Sequence, residues 1–189
     1  MSDPTKVSRR LVAVFAADVE GYSRLMGADE VGTLKGLTER RALLDGLIGD
    51  HGGRIANTAG DSVLAEFGSA VEAVQCAVDA QKALTEANSS LPPEQRINFR
   101  VGIHVGDVMV RAGDLFGDGV NIAARLQTLA QPGGVCISGV TYEHVTPTIL
   151  RELQTAFHRL GGRQGSITAK SRWFIIPTAW MRRDHRPGC

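Results

Sequence analysis

The stretch VFAADVEGYS, Val14 to Ser23, decides the fold. Small and apolar residues run without interruption into Asp18, Glu20 and Gly21. Leu11 to Ala17 has the length and composition of a buried strand. A buried strand that ends on a carboxylate needs a partner for the charge, because an unpaired ion away from water is costly. Gly21, Tyr22 and Ser23 then lie where a turn enters a short helix. Amides at such a start can hold phosphate oxygens, although any strand-to-helix turn presents the same pattern.

Working outward, the period changes at Asp29. Leu34, Leu37, Leu44 and Ile48 recur at helical spacing, with Asp29 as the cap and His51-Gly52-Gly53 as the exit. Arg54 to Thr58 and Ser62 to Phe67 read as two strands around an Ala59-Gly60-Asp61 hairpin turn. Ser69 caps a helix whose inner face is Val71, Val74, Val78, Gln81 and Leu84, ending near Asn88. Asn98 to His104 alternates, with Phe99, Val101 and Ile103 on one side and Arg100, Gly102 and His104 on the other. A turn at Gly106-Asp107 into a partner strand, Val108 to Arg111, is expected. A helix over Val120 to Ala130 and a strand over Val135 to Ser138 follow. Phe157 to Leu160 and Arg172 to Ile176 are weaker strand candidates, separated by a loop rich in Gly and Arg. The order strand, helix, strand, strand, helix, strand predicts an α+β sandwich, a mixed sheet with helices on one face.

The bulk properties bound the function. The chain has 189 residues, 43% of them hydrophobic and 22% charged, with a formal net charge of +1. That balance suits one globular domain and argues against a nucleic-acid coat or a membrane-surface role. There is no run of about 18 apolar residues to span a membrane, and the polar start, MSDPTKVSRR, is unlike a secretion signal. Cys76, Cys136 and Cys189 form no CxxC pair, which fits reduced thiols and a cytoplasmic location.

Two groups of residues carry chemistry. Asp18 and Asp61 lie 43 positions apart, yet converge if the first and third strands are neighbours. Converging carboxylates repel unless a cation joins them, and hard oxygen ligands suit Mg²⁺ or Mn²⁺ with phosphate completing the shell. Asp61 by itself fits a turn cap better than a ligand. In GDLFGDGVNIAARL, Gly113 to Leu126, the positions of Asn121 and Arg125 share one helix face, opposite inward-facing Ile122 and Leu126. Asn and Arg there can offer an amide to a sugar and a fixed fork to phosphate; on spacing alone the same face suits solvent. His104, on the polar side of its strand, reads as structural.

FAADVEGYS, NTAGDSVLAEFG, FRVGIHVGDV and DLFGDGVNIAARL, in this order, resemble the blocks of the class III nucleotidyl cyclase catalytic domain, bacterial adenylate cyclase type. The resemblance is strongest over residues 11–145. It implies a ferredoxin-like βαββαβ core with additional C-terminal strands over residues 7–178, and a polar tail over 179–189. It implies ATP as substrate, cyclic AMP and pyrophosphate as products, and a head-to-tail homodimer whose sites draw aspartates from one chain and Asn and Arg from the other. By the same resemblance Asp18 and Asp61, with the Val19 backbone, bind two Mg²⁺ or Mn²⁺. The backbone of Val19 to Tyr22 wraps the phosphates, with Gly21, Tyr22 and Ser23 as nucleotide-binding positions; Asp114 reads the adenine amino group, Asn121 orients the ribose and Arg125 stabilises the transition state.

The match departs from the family pattern twice. Adenylate-forming members usually place a Lys where this chain has Asn57, a neutral and shorter donor that can also accept. The lysine that grips the distal phosphates falls near Ser166 in the Gly161 to Lys170 loop, leaving Arg163 and Lys170 as substitutes. Three readings follow: an adenylate cyclase, a cyclase with relaxed base selectivity that also takes GTP, or a nucleotide-binding or dimerising module without turnover. A diguanylate cyclase ranks low, because the turn reads AGDS. Similar proteins often continue into a further domain after the RWFIIPTAW segment, so a downstream domain is expected.

Overall fold

A computed structural model describes residues 7–145, 168–170 and 173–176. Its first strand, β1 (Ser8–Val19), is longer than expected and runs through Asp18. The chain then forms α1 (Tyr22–Ala28), α2 (Glu30–Asp50), β2 (Arg54–Ala59), β3 (Ser62–Phe67) and α3 (Ala70–Ala87). There follow β4 (Phe99–Arg111), β5 (Asp114–Phe116), α4 (Asp118–Leu129), β6 (Val135–Ser138), α5 (Gly139–His144), β7 (Thr168–Lys170) and β8 (Trp173–Ile176). They build one sheet in the order β2-β3-β1-β4-β6-β8-β7, with β5 on β4. From β2 through β3 and β1 to β4 each strand runs antiparallel to the next, and β6 joins β4 in parallel. This is the expected α+β, ferredoxin-like βαββαβ arrangement with added C-terminal strands.

The expected turn at Gly106-Asp107 is absent. β1 pairs with β4 without a break, from Ser8 opposite Val110 to Val19 opposite Phe99, so β4 continues as one strand. Twelve residues of continuous ladder outweigh a two-residue turn signal, and Gly106 has no positive φ. The turn lies instead at Ala112 (φ 49) and Gly113 (φ 85), the left-handed pair that two-residue hairpins require.

The helices cover both faces of the sheet. Ala13, Phe15, Ala17 and Val19 of β1 pack under α2 and α3 with Leu44, Ile48 and Val74. Val12, Val14 and Ala16 point the other way and meet Val108, Leu115 and Ala123. A strand that is apolar on both sides has two faces to bury, so one helical layer does not suffice. Gly102 sets the approach of α4: a Cβ there would lie 2.2 Å from both the Ala123 carbonyl oxygen and the Gln127 nitrogen.

The caps at Asp29 and Ser69 form as the sequence predicts, each side chain accepting an amide of its helix. On α2, Leu34 turns outward at 45% exposure, while Arg40 is buried and donates to the Ala87 carbonyl at the end of α3. A cation that satisfies the last carbonyls of a helix belongs there more than a leucine does. Phe157 to Leu160 lies outside the described residues; the other late strand candidate is β8, preceded by the unforeseen β7.

Candidate active site

Asp18 stands in the last paired part of β1, opposite Arg100 of β4. Its two carboxylate oxygens accept from Arg100, Nε at 3.0 Å and Nη2 at 2.7 Å. That bidentate fork is what a carboxylate at the end of an apolar strand requires. The hydrogen bond to Asp18 pushes the Arg100 pKa further up, and the charges of Glu20 and Asp61 add to the effect. Asp61 arrives from the β2–β3 turn, where Gly60 takes a left-handed φ of 57. Because β3 lies beside β1, with Val63 opposite Ala17, the turn falls at the end of β1. There the Asp61 Oδ2 accepts the Val19 amide at 3.0 Å. The two aspartates therefore converge on one short piece of backbone. Gly21 (φ 66) bends the chain away into α1, with Tyr22 half-buried against the core and Ser23 exposed.

Arg100 was not among the residues singled out from the sequence. The alternation of β4 puts it on the polar side, but only the β1–β4 register sets it against Asp18.

A second cluster forms at the β4–β5 turn. The Asn57 side-chain amide donates to Asp114 Oδ2 at 2.9 Å, and the Leu115 amide donates to Asp114 Oδ1 at 2.8 Å. Arg54, also on β2 and also unforeseen, donates to the Gly113 carbonyl at 2.7 Å.

On α4, Ala123 and Leu126 are buried and Ile122 half-buried, while Asn121 and Arg125 stand exposed. Among the described residues neither side chain makes a hydrogen bond or an ion pair, so neither is joined to Asp18 or Asp61 within the chain. Arg163 and Ser166 lie outside the described residues. Lys170 ends β7, its backbone paired with Trp173.

His104 bonds Ser138 Oγ at 2.9 Å, and burial pushes its imidazole below the usual range. It holds β4 to the start of α5, as its structural reading predicts. Cys76 and Cys136 are buried and free, and burial raises their thiols to about 12 and about 11. Neither is a thiolate nucleophile at neutral pH.

A divalent cation fits the acidic end. Asp18, Asp61 and Glu20 all lie close enough to Arg100 to raise its pKa, so three acidic side chains gather at this end. Among the described residues no group of three or more His, Cys, Asp or Glu is arranged to hold a metal by itself. Two carboxylates with open positions suit ions whose shell is completed by phosphate.

The family profile described as Adenylate and Guanylate cyclase catalytic domain matches residues 6–169. The chain belongs to that family. The cyclase domain is 52% identical over 140 residues to "Putative adenylate cyclase 3" of Rhizobium meliloti, covering 74% of this chain and 24% of that protein. It is 35% identical over 152 residues to an adenylate cyclase of Streptomyces coelicolor, covering 77% and 37%. It thus spans well under half the length of these curated relatives. Among solved structures, an adenylate/guanylate cyclase/hydrolase from Silicibacter pomeroyi superposes with a TM-score of 0.70 at 35% identity, covering 90% of this chain and 98% of that one. Among the described residues no helix is long and apolar enough to cross a membrane.

Proposed function

We infer that this cyclase domain converts ATP to 3′,5′-cyclic AMP and pyrophosphate at sites shared by two copies packed head to tail. The observation that carries the reading is an asymmetry within one chain. Asp18 and Asp61 converge without any bond to α4, while Asn121 and Arg125 project from α4 without a partner among the described residues. A two-fold pairing brings each half to the other's complement. Exposed Leu11, Met109 and Phe116, at the start of β1 and on the β4–β5 hairpin, offer apolar surface for such a pairing.

In the reaction the ribose 3′-oxygen bonds to the α-phosphorus, the bond to the bridging oxygen breaks, and pyrophosphate leaves. Asp18 and Asp61, with the Val19 backbone, would hold two Mg²⁺ or Mn²⁺, which supply Lewis-acid charge to the hydroxyl and the triphosphate. Arg100, now spent on Asp18, turns its fork toward phosphate oxygens once the carboxylate is otherwise neutralised. Gly21, Tyr22 and Ser23 line the phosphate path, and Arg163 or Lys170 completes the grip on the distal phosphates. Asn121 orients the ribose. Arg125 neutralises charge growing on the α-phosphoryl oxygens, a contribution of ~3–4 kcal/mol for groups of this kind. The catalytic unit runs over residues 7–178.

Asp114 accepts from the adenine amino group. The Asn57–Asp114 hydrogen bond favours a second reading of the base site. Asn57 brings no positive charge, so the reader stays anionic, and a carboxylate also accepts the N–H edge of guanine. Purified protein incubated with Mn²⁺ and either ATP or GTP separates the readings. Cyclic AMP and pyrophosphate from ATP in excess over cyclic GMP from GTP supports the first reading. Comparable rates support the relaxed reading. No product from either nucleotide overturns both in favour of a non-catalytic module.

A further inference from the structure

Among the described residues Glu66 is the most deeply buried carboxylate in an ion pair, with its side chain 7% exposed. It lies on β3 opposite Val14 of β1 and Arg54 of β2. Arg10 Nη2 donates to both of its oxygens, at 2.8 and 3.1 Å, and Arg54 Nε donates to Oε1 at 2.7 Å. A carboxylate this far from water must be paired, so the contact fixes the guanidinium as firmly as it satisfies the acid. The arginine fork is planar and rigid, and once Nε is held the remaining N–H groups have set directions. Arg54 Nη1 then donates to the Gly113 carbonyl at 2.7 Å. Gly113 and Ala112 occupy left-handed backbone conformations, Ala112 at a positive φ unusual for a residue with a Cβ. The next residue is Asp114, whose Oδ2 is met by Asn57, three positions after Arg54 on the same strand. β2 thus holds the β4–β5 turn at two points, one of them anchored in the sheet by a buried acid.

We propose that Arg54, anchored by Glu66, is a positioning residue for base selection: it clamps the 112–114 turn so that the Asp114 carboxylate meets the purine edge in one orientation. The proposal rests on the reading of Asp114 as the base-contacting residue. Arg54 does not touch the nucleotide in this scheme. Its loss frees the turn, and Asp114 then settles with comparable ease against an amino group or a ring N–H.

The test measures affinity for 3′-deoxy-ATP and 3′-deoxy-GTP, which lack the attacking hydroxyl, by calorimetry with Mn²⁺ on the full 189-residue chain. The variants are Arg54→Lys, which keeps a charge opposite Glu66 but loses the fork, Arg54→Ala, and Asp114→Asn. The expected result is an ATP preference in the parent chain that falls about tenfold in both Arg54 variants, because the freed Asp114 no longer favours one purine edge. Melting temperature is recorded alongside; a purely structural role weakens both nucleotides equally and leaves their ratio unchanged. An unchanged ratio in both Arg54 variants, with a collapsed ratio in Asp114→Asn, overturns the clamp and leaves the base reading standing. No preference in the parent chain, no binding of either nucleotide, or an unchanged ratio in Asp114→Asn overturns the base reading and the clamp with it.

Discussion

The end of β1 and the outer face of α4 both carry charged and polar side chains, but they treat them in opposite ways. At the end of β1 the charges are answered within the chain: Asp18 by both arms of Arg100, Asp61 by the Val19 amide. On α4, Asn121 and Arg125 are exposed and unanswered among the described residues, although the helix beneath them is packed so closely that Gly102 leaves no room for a methyl group. Rigid placement combined with an unpartnered polar face costs nothing in water and presents a fixed fork to whatever docks. Charges at the rim of a buried strand have no such freedom and must be neutralised as the chain folds.

The strongest way to break this contrast is to separate its halves genetically. Asp18→Ala and Arg125→Ala should each lower cyclase activity by about two to three decades, the cost of one transition-state contact. Mixed in equal amounts with free subunit exchange, they should regain about a quarter of parental activity: half the dimers are mixed, and each mixed dimer has one intact site of two. Activity that stays at the single-variant level, with exchange verified by a tagged pull-down, would show that both regions act within one chain.

Next in size is the seat of α4. Gly102→Ala should destabilise the protein by about 1–3 kcal/mol, because the new methyl meets backbone atoms that cannot swing aside. Asn121→Ala, on the exposed face of the same helix, should stay within about 0.5 kcal/mol of the parent. Denaturant melts of the two variants read this difference directly, and equal effects would mean that the outer face is covered after all.

The smallest effect concerns pH. His104 has a folded pKa below its usual 6.5, so the fold favours the neutral ring. Its contribution is complete above 6.5 and is lost as pH falls through the folded value, since the unfolded chain takes up the proton first. His104→Gln should therefore flatten the loss of melting temperature between pH 7 and 5. A steeper loss in the variant would assign the acid sensitivity elsewhere.

Much of the fold was legible because local signals agreed. Asp29 and Ser69 announce their helices, and the alternation of Phe99, Val101 and Ile103 announces a half-buried strand. The turn at Gly106-Asp107 misled, because a Gly-Asp pair is a local cue and the length of β4 is set by its partner β1. The single helical layer misled too: β1 is apolar on both sides, and its periodicity does not say which helix covers which side.

The candidate site divides along the same line. Asp18, Asp61, Asn57, Asp114, Asn121 and Arg125 each sit in a short block whose residue types and order are readable without coordinates. Arg100 and Arg54 were not readable in this way, for their roles come from facing an acid that lies far away in sequence. The sequence by itself determined most of the elements, the caps at Asp29 and Ser69, the family and the inventory of acids and bases, because propensity, periodicity and motif order act over a few residues. Only the tertiary structure decided which charges neutralise one another and which are left for a partner, because pairing depends on strand register and helix seating, and these are settled by the packing of the whole sheet.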